Sequence, residues 1–137
     1  MRFMMFIHND ARAEAGQLPE AKLVEEMMKY NEKLAKAGAL IALDGLHPTS
    51  KGARIQFKDG KPTVTDGPFA ESKEIIGGYW IINVKSKQDA IDWAKQVPVV
   101  DATIDLRQIF EMSDFPEDVQ KAADNPIVRN QIEKHKK

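Results

Sequence analysis

The chain has 137 residues, with 20 basic and 21 acidic side chains and a net charge of −1. This balance argues against a nucleic-acid partner or an anionic membrane partner, and the length fits one domain with a sizeable core. No cysteine is present, which excludes disulfides, thiol catalysis and thiolate metal sites. Because the apolar run at the N-terminus is too short for a secretion signal or a membrane span, we expect a soluble, cytoplasmic protein.

The first elements along the chain are a strand, a helix and a second strand. Residues 2–7 are almost all apolar and predict a buried strand, whereas the small and polar residues 11–18 predict a loop. Apolar residues that recur at steps of four and three predict a helix over 19–37, and Gly38 is typical of the position just after a helix end. Residues 40–43 predict the second strand.

A hairpin and a second strand–helix–strand unit follow. Residues 53–58 alternate between apolar and polar, and Asp59-Gly60 predicts a tight turn into a return strand over 62–65. The remaining core elements are a strand over 79–84, a helix over 86–97 that ends before Pro98, and a last strand over 102–110.

The segment after residue 110 differs in character from the rest of the chain. Asp114 is typical of a helix start, Asn125-Pro126 predicts a helix break, and 127–137 is strongly charged. We therefore divide the chain into a domain over 1–110 and a helical C-terminal extension over 111–137. The extension is better explained as an amphipathic appendage or a frayed terminus than as a nucleic-acid patch.

The order of elements predicts the fold class. Without the hairpin it is βαββαβ, so we expect an α+β, ferredoxin-like domain with an inserted β-hairpin. Two helices can cover only one face of such a sheet, yet the strands are apolar on both faces, with Phe3 and Met5 opposed to Met4 and Phe6. We expect a second copy of the chain to cover the other face, which gives a homodimer through the sheet.

A turn-forming, charged segment leads directly into an apolar strand: Asp66-Gly67-Pro68-Phe69-Ala70-Glu71-Ser72-Lys73-Glu74, then Gly77-Gly78-Tyr79. This run resembles the signature of the YCII-related (DGPF-domain) family, and the resemblance extends over residues 1–110. It implies a dimeric α/β barrel. In some relatives a His–Asp pair has been proposed as catalytic, with its histidine on the first helix near the position of Met28. No histidine occurs in 19–37, so that pair is not carried over to this chain.

Strand directions decide which polar side chains can meet. We take the first and third core strands as parallel to each other, with the second and last strands antiparallel to them. That arrangement puts His8 at one edge of the sheet and gathers six polar residues at the opposite edge: Asp44, His47, Asp66, Lys73, Glu74 and Arg107.

The candidate catalytic residues are His47 and Asp66, because a carboxylate can orient an imidazole for general acid–base chemistry. The alternative for His47 is an exposed turn residue. The alternative for Asp66 is a turn cap that accepts N–H bonds from the backbone of 67–70. Phe69 is the one large apolar residue of this loop, so we expect it to be buried as an anchor.

The candidate substrate-binding residues are Lys73, Glu74, Arg107 and Tyr79. Arginine suits bidentate contact with a carboxylate, which predicts a binding edge for a small acid. The alternative is an ion pair of Arg107 with Glu74 or Asp105 that fixes the loop. No tight ligand spacing supports a metal site, and we expect no cofactor.

Two functions are compatible with these patterns. One is a small cofactor-free enzyme that uses acid–base chemistry on a small organic acid or cyclic metabolite. The other is a non-catalytic ligand-binding or regulatory dimerisation module. The chain has no phosphate loop, dinucleotide fingerprint or nucleophile motif, so the sequence does not decide between the two.

Overall fold

The computed structural model describes residues 1–69 and 74–136. In these residues the fold is mixed α+β, with antiparallel sheets and five α-helices. The strands are β1 Arg2–His8, β2 Leu40–Gly45, β3 Ala53–Lys58, β4 Lys61–Asp66, β5 Ile76–Asn83 and β6 Ile104–Gln108. The α-helices are α1 Ala11–Glu14, α2 Ala21–Lys36, α3 Lys87–Ala94, α4 Glu117–Ala123 and α5 Pro126–His135, with short 3₁₀ helices at Thr49–Lys51 and Met112–Asp114.

The main sheet has the strand order β2-β5-β1-β6, and every neighbouring pair in it is antiparallel. The predicted parallel relation between the first and third core strands is therefore wrong, since Phe3 of β1 faces Ile82 of the antiparallel β5. The physical reason is the helical crossover. It returns the chain to the starting edge, so β1 and β2 run in the same direction with β5 between them.

This correction changes which residues share an edge of the sheet. The end of β1 at His8 lies beside the start of β5 at Ile76, and the end of β2 at Gly45 lies beside Gly78. We name this side the carboxyl edge. Arg107 faces Met4 and so lies further along the sheet, away from the carboxyl edge.

The segment between β1 and α2 contains a helix that the sequence pattern did not predict. Asp10 caps α1 by accepting the backbone N–H of Ala13 at 2.7 Å, which organises one helical turn within the predicted loop. The longer helix, α2, begins at Ala21, two residues later than predicted, and Pro19 precedes it.

The buried core lies on one face of the sheet, beneath α2 and α3. Its fully buried side chains include Met5, Leu34 and Ile82. Polar atoms in this layer are paired: the Trp80 indole donates to the Asn31 side chain at 2.8 Å. The core therefore combines close apolar packing with satisfied hydrogen bonds.

The opposite face of the sheet carries apolar side chains that are only half-buried. Met4 and Phe6 of β1 and Ile81 of β5 point to this side, alternating with the buried residues of the same strands. None of the three belongs to the buried core. We call this side the uncovered face.

The β3–β4 hairpin and the C-terminal segment are largely exposed. Asp59 and Gly60 both have positive φ angles, 52° and 76°, as the predicted tight turn requires. The predicted break at Asn125-Pro126 is the start of α5, where Asn125 accepts two backbone N–H groups. Across residues 1–69 and 74–136, no helix has both the length and the apolar character that crossing a membrane requires.

Candidate functional site

A histidine–carboxylate pair lies at the carboxyl edge on the uncovered face. His8 ends β1, and its Nε2 atom is 2.7 Å from Oδ2 of Asp105 on the neighbouring strand β6. The two side chains are 23% and 50% exposed, so the pair is within reach of a small molecule. Antiparallel pairing brings together residues that are 97 positions apart in the chain.

A second polar pair lies on the same face, on β5, which is next to β1 in the sheet order, and on β2 beyond it. The Tyr79 hydroxyl donates to Oδ2 of Asp44 at 2.8 Å, and this hydrogen bond raises the pKa of Tyr79. Strand register places Phe6 between the two pairs, because it faces both Tyr79 and Asp105. We name the five residues of this row the sheet-face cluster: His8, Asp105, Phe6, Tyr79 and Asp44.

The segment from Asp66 to Phe69 is held by contacts with the 3₁₀ helix that follows β2. The Phe69 backbone N–H donates to Oγ1 of Thr49 at 3.1 Å, and the Gly67 N–H donates to the carbonyl of Gly52 at 3.0 Å. In the part of the turn that the structure describes, Asp66 accepts no backbone hydrogen bond. The predicted cap is therefore wrong for 66–69, because a hydroxyl from a distant segment takes its place.

Phe69 is half-buried rather than fully buried. The Arg54 guanidinium lies over its ring, 4.2 Å from the ring centre. The predicted buried anchor is thus replaced by a cation–π contact at the base of the hairpin.

Glu14 at the end of α1 completes this set of contacts. Its Oε1 atom accepts the Thr49 backbone N–H at 2.7 Å and also the Thr49 hydroxyl. Asn9 adds a longer bond to Oε2 at 3.4 Å. The hydrogen bond from the Thr49 hydroxyl is the largest of the effects that lower the pKa of Glu14.

A cavity of about 550 Å³ opens beside α1, between the segment 16–20 and the exit of β2. Its wall is mainly apolar, with Leu18, Leu23 and Leu46, and its charged and imidazole groups include Arg12 and His47. We name it the α1 pocket. It is a concave site of the size that small organic ligands occupy.

Comparison with known protein families agrees with the predicted resemblance. The YCII-related domain matches residues 1–113. The chain belongs to the YCII-related family. This YCII-related protein is also 28% identical over 99 residues to an uncharacterised protein of Rhizobium meliloti (strain 1021), and the match covers 71% of this chain and 80% of that relative.

The structure of this YCII-related protein does not join the two predicted catalytic residues. His47 is exposed and lines the α1 pocket, and Asp66 is exposed at the end of β4, opposite Ala53. In residues 1–69 and 74–136, no hydrogen bond or ion pair connects the two side chains. Their predicted roles as an acid–base pair have no geometric support.

The predicted substrate-binding residues are dispersed. Lys73 lies outside the described residues. Glu74 and Arg107 are exposed, and neither makes an ion pair with any residue that the structure describes, so the alternative of a loop-fixing ion pair also finds no support. Tyr79 does lie in a polar cluster, but its partner is Asp44, and its neighbour Trp80 is buried on the opposite face.

The pair of His8 and Asp105 was missed because His8 was assigned to the wrong edge. The necessary signal was present, since two strands joined by one helix on the same sheet face must run in parallel. In the described part of the chain, no three or more His, Asp or Glu side chains are arranged to hold a metal ion. The polar members of the sheet-face cluster are an imidazole, two carboxylates and a phenol, groups that can transfer protons and form hydrogen bonds.

Proposed function

We propose that this YCII-related protein is a small cofactor-free enzyme that transfers protons on a small organic acid or a cyclic metabolite. The observation that carries the proposal is the 2.7 Å contact between His8 Nε2 and Asp105 Oδ2. This pair replaces His47 and Asp66 as the acid–base group. A histidine with a carboxylate partner is suited to proton transfer near neutral pH.

The pair supports a simple reaction in which only a proton moves. Asp105 is half-exposed and meets the substrate, while His8 stays bonded to the same carboxylate. A proton leaves an acidic C–H or O–H of the substrate for the Asp105–His8 pair, and the same pair returns a proton to another atom of the substrate. The result is an isomer, with no net oxidation and no group lost.

The rest of the sheet-face cluster supports binding and orientation. Phe6 offers an apolar ring between the two polar pairs. The Tyr79 hydroxyl donates to Asp44, and its oxygen can at the same time accept a hydrogen bond from a polar substrate group. A flat molecule with polar groups at both ends fits this row.

We also propose that the domain is ferredoxin-like and forms a homodimer through the uncovered face. The strand order β2-β5-β1-β6, antiparallel throughout, supports the first part. The half-buried Met4, Phe6 and Ile81 support the second, because a partner sheet would remove their apolar surface from water.

The second candidate function is a ligand-binding or regulatory dimerisation module without turnover. The α1 pocket favours it, because this concave site contains His47 but no carboxylate bonded to that imidazole among the described residues. A ligand that binds there unchanged would fit this function.

Proton exchange in D₂O tests the enzymatic proposal. Small 2-oxo acids, unsaturated acids and lactones are incubated with the protein, and loss of their exchangeable C–H signals is followed by NMR. We expect accelerated exchange for at least one compound. His8→Gln and Asp105→Asn should each reduce it by roughly 10²–10⁴-fold, the usual contribution of a positioned acid or base.

The matched controls lie in the exposed C-terminal segment. His135→Gln and Asp118→Asn change the same residue types at exposed positions outside the sheet-face cluster and should leave the exchange rate unaltered. Exchange with no compound, or full exchange in His8→Gln, would reject the acid–base role of this pair.

Light scattering during size-exclusion chromatography tests the dimer. The wild-type protein should elute with twice the mass of the chain, and Phe6→Asp should elute as a monomer because it places a charge on the uncovered face. A wild-type monomer at micromolar concentration would contradict the proposal.

A further inference from the structure

We propose that the α1 pocket binds a small carboxylate with a branched apolar body, held by Arg12. This site is distinct from the sheet-face cluster, since none of His8, Tyr79 and Asp105 lines it. The proposal does not depend on the proposed enzymatic function.

The shape and composition of the pocket point to a small amphiphilic molecule. A volume of about 550 Å³ lies within the range of sites that hold small organic ligands. Leu18, Leu23 and Leu46 line the pocket with apolar side chains, and Leu18 is 83% exposed in the free protein. An exposed leucine at the mouth of a cavity gains burial when an apolar ligand enters.

Arg12 is the group available for an anion. It lines the pocket, and across residues 1–69 and 74–136 its guanidinium forms no ion pair. Its five donors in a planar fork match a carboxylate in two parallel hydrogen bonds. His47 stands in the same wall and can donate a further hydrogen bond.

The two acidic residues that line the α1 pocket differ in whether their side chains already accept a hydrogen bond. Asp10 already accepts the Ala13 N–H as the cap of α1. Glu20 precedes α2 and makes no side-chain cap bond. Glu20 is therefore available to an amine, so an α-amino acid should bind more tightly than the 2-oxo acid of the same skeleton.

Isothermal titration of the full chain with leucine and with 4-methyl-2-oxopentanoate tests the site. We expect saturable binding with one site per chain. Arg12→Gln should weaken both compounds roughly ten- to hundredfold, as expected for a lost hydrogen bond between charged groups. Glu20→Gln should weaken the binding of leucine and leave the affinity for the oxo acid unchanged. This difference tells whether the site recognises an amino acid or only a carboxylate.

Arg107→Gln is the matched control, because it removes an exposed arginine that does not line the pocket. Its affinity for both compounds should equal that of the wild type. His135→Gln should also bind normally, because His135 lies on α5 and does not line the pocket. No saturable binding of either compound up to millimolar concentration, or unaltered binding by Arg12→Gln, would overturn the proposal.

Discussion

The two faces of the main sheet are built from alternate residues of the same strands, yet they differ in almost every physical respect. Ile82 is fully buried beneath the helices, whereas the adjacent Ile81 is half-buried on the uncovered face. On the helix side the polar groups, such as Asn31, are sealed in the core. On the other side the pair of His8 and Asp105 is open to small molecules. One face thus forms the buried core, whereas the other leaves polar side chains accessible to solvent.

The largest expected contrast between the faces is in the unfolding free energy that is lost when an isoleucine is truncated to alanine. Ile82→Ala should lower the free energy of unfolding by about 2–5 kcal/mol, because it leaves a cavity among fully packed atoms. Ile81→Ala should cost less at protein concentrations where the chain is monomeric, since its side chain then keeps partial contact with water. Urea unfolding of both variants measures the difference. Equal losses at every protein concentration would show that the two faces are packed alike.

Substitutions of polar groups should show the same contrast between the faces, with smaller losses of unfolding free energy. Asn31→Ala leaves the buried Trp80 indole N–H without its acceptor and should cost about 1–3 kcal/mol of unfolding free energy. Tyr79→Phe breaks the exposed bond to Asp44 and should cost less, because water replaces the lost partner. If Tyr79→Phe proves the more damaging substitution in urea, the division between the faces is wrong.

The smallest expected effect on stability concerns Glu14, which lies near the carboxyl edge of the sheet. Glu14 has a folded-state pKa below its ordinary value of 4.5, mainly because the Thr49 hydroxyl donates to it. Its stabilising contribution is therefore fully present above that value, and it is lost as the pH falls through the lower folded-state pKa. Glu14→Gln should reduce the urea midpoint near neutral pH, and the difference from the wild type should shrink in acid.

Glu25→Gln is the control for this pH dependence, because Glu25 lies exposed on α2 and makes no ion pair among the described residues. Its urea midpoint should follow that of the wild type at both pH values. A Glu14→Gln deficit that persists unchanged in acid would mean that the side-chain shape, and not its charge, holds Thr49.

Local patterns in the sequence predicted most elements of the fold. The apolar spacing along α2 and the turn of Asp59 and Gly60 depend on neighbours a few residues apart, and both were found in the structure. The one-turn helix α1 was missed because a single cap, that of Asp10, forms it without any apolar periodicity.

The candidate site was harder to predict, since its contacts join distant parts of the chain. The pair of His8 and Asp105 exists only once the direction and register of β1 and β6 are known. The hydrogen bond from the Phe69 N–H to the Thr49 hydroxyl spans 20 positions. The residues around Thr49 give no sign that its hydroxyl contacts the Phe69 loop. Residue types led us to expect a histidine–carboxylate pair, but strand pairing determines which histidine and which carboxylate meet.

Gly67 shows why the segment around it is so recognisable. A Cβ atom at this position would lie 1.6 Å from the carbonyl oxygen of Thr49 and 2.4 Å from its carbonyl carbon, so main chain lies directly against main chain. At Gly52, by contrast, the same added atom would make an ordinary 3.6 Å contact. The glycine of this motif is thus required by a close contact between two main-chain segments, and the recognisable sequence marks that packing constraint and not the residues of the sheet-face cluster.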